Sequence, residues 1–130
     1  MTNNDPKFEV LREKRTLAHD GDRGTEWLIE HLTRWDDKYG IALSEVDHSR
    51  VMVELKTIPD DVDAFTADVF SICPDVVTEY FTSFTDLADY NSNPNYAKSI
   101  DGLDEMDNDF GLKAMKRWIV LERKLPLYWT

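Results

Sequence analysis

The 130-residue chain carries 15 Lys and Arg residues against 26 Asp and Glu residues, which gives a net charge of −11 at pH 7. This balance argues against direct binding to nucleic acid, because affinity for a polyanion comes mainly from Lys and Arg. Hydrophobic residues make up 42% of the sequence, which predicts a folded core rather than disorder. We expect one domain, with an N-terminal helix and loop over residues 1–24 and an α+β core over residues 25–130.

Cysteine use and hydropathy indicate the compartment. Cys73 is the one cysteine, so no internal disulfide is possible, and the polar N-terminus does not resemble a secretory signal. No apolar run approaches the 18 residues of a membrane-spanning helix. The sequence therefore predicts a soluble, cytoplasmic protein with no membrane contact.

The first part of the chain predicts two helices and a hairpin. Pro6 suits the first position of a short helix, and a Gly- and Asp-rich loop follows at residues 19–24. Thr25 is predicted to cap a second helix, which Gly40 ends. Strands at residues 41–46 and 50–58 follow, because the second alternates apolar and polar side chains. The predicted inward face of the second helix consists of Leu28, Leu32, Trp35 and Tyr39.

The rest of the chain predicts three further helices and a closing strand. One helix begins at residues 59–61 and stops before Pro74, and residues 76–81 fit either a strand or an extended connector. Ser83 and Asp86 resemble a capping box, which predicts a short helix at residues 84–90 before a loop at 91–95. A helix within residues 104–124 and an edge strand at 125–129 complete the chain. This order predicts an α+β fold, with helices packed on a small, mainly antiparallel sheet.

Each of these three helices has an inward face that can be named. The predicted inward residues are Val62, Phe65, Val69 and Ile72 in the helix before Pro74, Phe84, Leu87 and Ala88 in the short helix, and Phe110, Met115, Trp118 and Ile119 in the last helix.

The negative charge is concentrated in one region. Residues 60–109 contain 13 acidic residues and one basic residue, whereas residues 110–130 have a net charge of +4. Such a one-sided field attracts a cationic protein and speeds its association. An ordinary solubilising surface, or acids that favour the start of the last helix, would give the same composition. The candidate partner-binding residues are Asp86, Asp89, Asp101, Asp104, Glu105, Asp107 and Asp109.

Metal and cofactor sites are not expected. An EF-hand loop starting at Asp101 would have Met106 where glycine is required, and one starting at Asp107 would have Trp118 in place of the closing glutamate. The three histidines lack zinc-ligand spacing, and the common phosphate-binding and nucleophile-elbow motifs are missing. No catalytic residue is assigned.

Three short segments resemble a bacterial domain family of unknown function. They are residues 34–41 (RWDDKYGI), 59–65 (PDDVDAF) and 73–77 (CPDVV). Members of that family typically show W-D-x-x-Y-G, C-P-D-[IV]-V and an ending close to L-W-W-D. The resemblance is best over residues 25–77, and the last acid of the ending is replaced by Thr130. It implies a small α/β domain and no activity.

Three functions remain as hypotheses. The leading one is a non-catalytic, immunity-type inhibitor that covers a basic toxin domain, such as a nuclease, with the acidic region. The alternative is a small enzyme or ligand-binding domain centred on Cys73 and Asp75. The third is a homo-oligomer that pairs through its C-terminal edge strand.

Overall fold

The computed structural model describes residues 6–16, 24–90 and 92–128. In this part of the chain the α-helices are α1 (Glu9–Lys14), α2 (Thr25–Tyr39), α3 (Val62–Ile72), α4 (Phe84–Tyr90), α5 (Asn95–Ile100) and α6 (Phe110–Glu122). The strands are β1 (Ile41–Asp47), β2 (Arg50–Leu55) and β3 (Lys124–Tyr128). They form an antiparallel sheet in the order β1-β2-β3, which confirms the predicted α+β class.

The backbone divides into two compact units. Unit 1 consists of Met1–Thr57 and Lys124–Thr130, and unit 2 consists of Ile58–Arg123. The expectation of a single domain stays a prediction. The loop predicted at residues 19–24 lies outside the described residues except for Gly24, and so does Trp129 at the end of the predicted closing strand.

Unit 1 is built on the three-stranded sheet. Alternate residues of β2 pair with β3, Val51 opposite Leu127 and Val53 opposite Leu125, and all four side chains are fully buried. The alternation predicted for the second strand is therefore correct. The strand is shorter than predicted, because its pairing ends at Leu55.

The second helix begins differently from the prediction. Gly24 occupies the N-cap position of α2, and Thr25 is already helical. The Thr25 hydroxyl donates a hydrogen bond to the carbonyl of Thr16 at 2.7 Å instead of capping its own helix. Gly40 ends α2 as predicted, with a φ of 72° that favours glycine. On the predicted inward face Leu28, Leu32 and Trp35 are buried, whereas Tyr39 is half-buried.

Asp36 ties the end of α2 to the first strand. Its Oδ1 atom accepts hydrogen bonds from Lys7 Nζ at 2.8 Å and from the N–H of Ile41 at 2.9 Å. Burial raises the pKa of Asp36, but the two hydrogen bonds together with the positive charges of Lys7 and Lys56 outweigh it and hold the pKa below its usual value of 3.8. The aspartate of the W-D-x-x-Y-G segment therefore has a structural role.

Unit 2 begins with α3, for which Asp61 is the N-cap and accepts a hydrogen bond from the N–H of Ala64. Phe65, Val69 and Ile72 of its predicted inward face are buried, whereas Val62 is half-buried.

The segment after Pro74 is helical, so both the strand and the extended connector were wrong. Val76–Tyr80 form a turn of π-helix, and Phe81–Ser83 form a 3-10 turn that continues directly into α4. The expected capping box at Ser83 is also wrong. Because the backbone is already helical there, the Ser83 hydroxyl donates to the carbonyl of Tyr80 at 2.6 Å. Phe84 is buried as predicted, whereas Leu87 and Ala88 are half-buried.

An aromatic cluster joins the last three helices of unit 2. The ring of Trp118 in α6 stacks on Tyr96 of α5 at 4.8 Å and meets Phe84 of α4 edge-on at 5.1 Å. Such pairs contribute about 0.5 to 1.5 kcal/mol each beyond their buried area. Helix α5, which begins at Asn95, was missed because the neighbouring Asn and Pro residues indicated a loop. The predicted inward residues of α6 are all buried.

Candidate functional site

Most of the negative charge belongs to unit 2. Its residues 58–123 include 14 acidic and five basic side chains, a net charge of −9 within the −11 of the whole chain. The aromatic cluster fixes α4, α5 and α6 relative to one another, so the acids on α4 and those before α6 have a defined arrangement. We refer to residues 101–109 as the acidic segment.

Helix α4 and the acidic segment meet at a small polar cavity. Asp86 of α4 lines this cavity of about 310 Å³ together with Glu105 and Asp107 of the acidic segment. Thr85 donates a hydrogen bond to Glu105 Oε1 at 3.1 Å, which links the two elements directly. The structure therefore brings three of the seven predicted binding residues to one place.

Two carboxylates of the acidic segment hold its backbone in shape. Asp104 Oδ1 accepts a hydrogen bond from the N–H of Met106 at 2.9 Å, and Asp107 Oδ1 accepts one from the N–H of Asp109 at 2.8 Å. Asp109 is the N-cap residue of α6, but its side chain makes no capping hydrogen bond. The acids therefore order the turns that precede α6 rather than cap the helix.

One ammonium group lies among these carboxylates. Lys113 Nζ donates to Asp107 Oδ2, and this hydrogen bond, with that from the N–H of Asp109, holds the pKa of Asp107 below its usual value of 3.8. The same hydrogen bond raises the pKa of Lys113, and the charges of Asp109 and Asp104 add to the effect. Asp107 is thus partly neutralised within the protein.

The remaining two predicted residues lie elsewhere. Asp89 is exposed on α4, three residues after Asp86. Asp101 lines a different concave surface, together with the basic residues Lys98, Lys116 and Arg117, and its carbonyl accepts a hydrogen bond from Arg117. Asp101 therefore lies on a surface that also carries three basic side chains.

Two large apolar side chains are exposed next to the acids. Tyr90, the last residue of α4, is 88% exposed, and Met106 of the acidic segment is 87% exposed. Tyr and Met are enriched at the centres of protein interfaces. Sequence patterns alone did not identify either residue as exposed.

The arrangement around Cys73 differs from that of a reactive thiol. The side chain of Cys73 is fully buried at the end of α3, and Asp75 is half-buried. Reactive cysteines are at least partly exposed and lie in electropositive surroundings. Across residues 6–16, 24–90 and 92–128, no group of three or more His, Cys, Asp or Glu side chains is arranged to hold a metal ion.

A third concave feature was missed by sequence reasoning. It is a groove of about 630 Å³, which Phe70 of α3 and Leu112 of α6 line. A Cβ atom at Gly111, which also lines the groove, would lie 2.2 Å from the carbonyl oxygen of Val77. The sequence did contain one indication of this groove, because Phe70 falls outside the inward face of α3 that Phe65 and Val69 define. In the structure its side chain is 50% exposed.

In the part of the chain that the structure describes, no helix combines the length and the apolar character that crossing a membrane requires.

Comparison with known proteins gives one family. No curated protein and no solved structure matches the chain. A family model described as "Domain of unknown function (DUF4253)" matches residues 2–97, which include α4 but end before the acidic segment. Because this match covers well over half of the sequence, the chain belongs to the DUF4253 family of domains of unknown function.

Proposed function

We propose that this protein is a non-catalytic binding protein that captures a basic protein partner with the acidic surface of unit 2. The observation that carries the proposal is the meeting of Asp86 with Glu105 and Asp107 around one cavity. Carboxylates from two elements thus line one cavity, and such a local concentration of negative charge steers a cationic partner and fixes its orientation.

The exposed side chains beside these acids support protein binding over mere solubility. Tyr90 and Met106 each expose more than four-fifths of their surface. An apolar side chain that is covered on binding supplies affinity, whereas surrounding charges chiefly supply speed and specificity. Exposed apolar side chains add nothing to solubility, so their place beside the carboxylates favours a contact surface.

In its finer form, the proposal is an immunity-type inhibitor of a bacterial toxin domain, for example a nuclease, acting in the cytoplasm. A basic enzyme that acts on a polyanion has a cationic active-site surface, and an acidic protein that covers it blocks substrate access. The net charge of −9 in unit 2 supports this form. The alternative of an enzyme centred on Cys73 and Asp75 has less support, because the thiol is fully buried.

The proposal is tested with the proteins encoded next to this one in its source genome. Each neighbour with a basic domain is purified, and its association with this chain is measured by biolayer interferometry at low and at high ionic strength. We expect one such neighbour to bind, with an association rate that falls as salt rises. If no basic neighbour binds, or if its association rate is independent of salt, the proposal is wrong.

A functional assay distinguishes inhibition from simple binding. The bound neighbour is expressed alone and together with this chain, and cell growth is followed. We expect the neighbour to arrest growth and this chain to restore it. Binding without restored growth would reject the immunity role and leave a binding protein with another purpose.

A further inference from the structure

The groove beside Phe70 has the composition of a site for an apolar group. Ala67 and Phe70 of α3 form one side, and Leu112 of α6 lies on another. The side chain of Phe70 is 50% exposed, although phenylalanine is usually buried. Among the described residues of unit 2, this apolar surface is open to a ligand.

Residues of α6 and of the turns after Pro74 that line the groove are firmly packed. At Gly111 the backbone of α6 comes so close to Val77 that a Cβ atom would overlap the Val77 carbonyl. The Thr82 hydroxyl donates to the carbonyl of Thr78 at 2.7 Å, so this polar group is satisfied within the protein. A preformed site of this kind binds with little cost in conformational ordering.

Carboxylates accompany the apolar surface. Asp63 and Asp109 both line the groove, and the side chain of Asp63 is 78% exposed. Lys116 also lines it and forms an ion pair with Asp63 at 2.7 Å. The carboxylates outnumber this ammonium group, and the surrounding unit has a net charge of −9. The groove therefore favours a ligand that is apolar at its centre and positively charged around it.

We infer that this groove receives one large apolar side chain of the basic partner, with Lys or Arg residues on either side of it facing Asp63 and Asp109. This inference rests on the proposed function, because it assigns a second contact to the same partner. Burial of the apolar side chain would supply affinity, and the flanking cations would set the orientation of the segment.

Two synthetic peptides test the groove without knowledge of the partner. One is a blocked, labelled peptide of lysine and serine with a central tryptophan, and the other has serine in place of the tryptophan. Their binding to the full chain is measured by fluorescence anisotropy at low ionic strength. We expect the tryptophan peptide to bind at least about tenfold more tightly, because a buried aromatic side chain adds that much or more.

Variants of the groove test whether the difference between the two peptide affinities arises there. Phe70→Ser should bring the affinity for the tryptophan peptide down to that for the serine peptide. Ala67→Lys places a cation at an exposed position in the groove. It should also remove the extra affinity for the tryptophan peptide, because the lysine side chain occupies the groove. Ile58→Ser is the matched control, because Ile58 is similarly exposed at 45% and does not line the groove. Far-UV circular dichroism checks that each variant is folded.

The possible outcomes separate the two proposals. Equal binding of both peptides, unchanged by Phe70→Ser and by Ala67→Lys, would overturn the groove site and leave capture by the acidic surface intact. Failure of both peptides to bind even at low ionic strength would contradict the acidic surface as well. Self-association of the chain that Phe70→Ser abolishes would assign the groove to a second copy and overturn the inference.

Discussion

Lys113 Nζ lies 2.5 Å from Asp107 Oδ2, so the acidic segment carries its own counter-ion. Both side chains are at the surface, and Asp104 and Asp109 also act on this ammonium group. The strongest cluster of negative charge in the sequence is therefore partly balanced by the helix that follows it. The charge that is free to act on a partner shifts towards Asp86 and Glu105.

The first prediction concerns this ion pair. In Lys113→Met, the pKa of Asp107 should rise towards its usual value, because its largest stabilising hydrogen bond is lost while that from the N–H of Asp109 remains. Carbon-13 NMR titration of the carboxylates measures this midpoint. Lys98→Met is the control and should leave it unchanged. An unaltered Asp107 midpoint in Lys113→Met would show that the pair does not form in solution.

The second prediction concerns Asp36. Asp36→Asn should lower the free energy of unfolding at pH 7 by about 1.5 to 3 kcal/mol, the range for hydrogen bonds to a charged group. Because the folded pKa lies below 3.8, this stability is present above pH 3.8 and is lost as the pH falls through the folded pKa. The difference between wild type and variant should therefore shrink in acid.

Urea unfolding at pH 7 and at a pH well below 3.8 measures the Asp36 effect. Asp37→Asn serves as the control, because Asp37 is the adjacent acid and is exposed. A stability difference that stays constant from neutral to acid pH would mean that the ionised form of Asp36 is not the source of the extra free energy of unfolding.

The third prediction concerns the close approach at Gly111. Gly111→Ala places a Cβ atom 2.2 Å from the Val77 carbonyl oxygen, so either α6 or the π-helical turn must move. We expect a loss of about 1 to 3 kcal/mol, as for other overpacked sites. Gly24→Ser, where a Cβ meets nothing within 4 Å and serine suits the N-cap, should lose none. Thermal unfolding that is the same for Gly111→Ala and wild type would contradict this packing.

Side-chain periodicity was sufficient to predict the longer helices and the strands, whereas the short helix α5 was missed. Helix α2 and strand β2 show clear periods of 3.6 and 2, and their buried faces are those expected, except that Tyr39 is half-buried and Ile29 is also buried. The segment at residues 76–83 has no such period. Its π-helical and 3-10 turns depend on packing of Val76 and Phe81 in the core, which no local pattern reports.

The candidate site was predictable in composition but not in arrangement. Counting charges located the acidic region, yet the contact between Thr85 and Glu105 depends on the tertiary position of α4. The ion pair between Lys113 and Asp107 was likewise not predicted, because Asp107 lies in the turns before α6 and Lys113 lies within the helix. Charge patterns indicate where acids are abundant, and only the fold shows which of them are neutralised.

The fourth prediction concerns Cys73. Because its side chain is fully buried, iodoacetamide should leave the native protein unmodified at neutral pH and should label Cys73 only after unfolding in denaturant. Intact-protein mass spectrometry measures the added mass over time. Rapid labelling of the folded protein would instead favour the enzyme hypothesis centred on Cys73 and Asp75.

The most direct measurement of the central claim compares two variants of equal net charge. The first, Asp86→Asn with Glu105→Gln, removes two carboxylates from the proposed surface. The second, Asp37→Asn with Glu13→Gln, removes two exposed carboxylates from unit 1. Association rates with the basic partner are measured at low ionic strength by stopped-flow fluorescence. We predict a several-fold slower association for the first variant and a near wild-type rate for the second. Equal rates for the two variants would contradict capture by the acidic surface of unit 2.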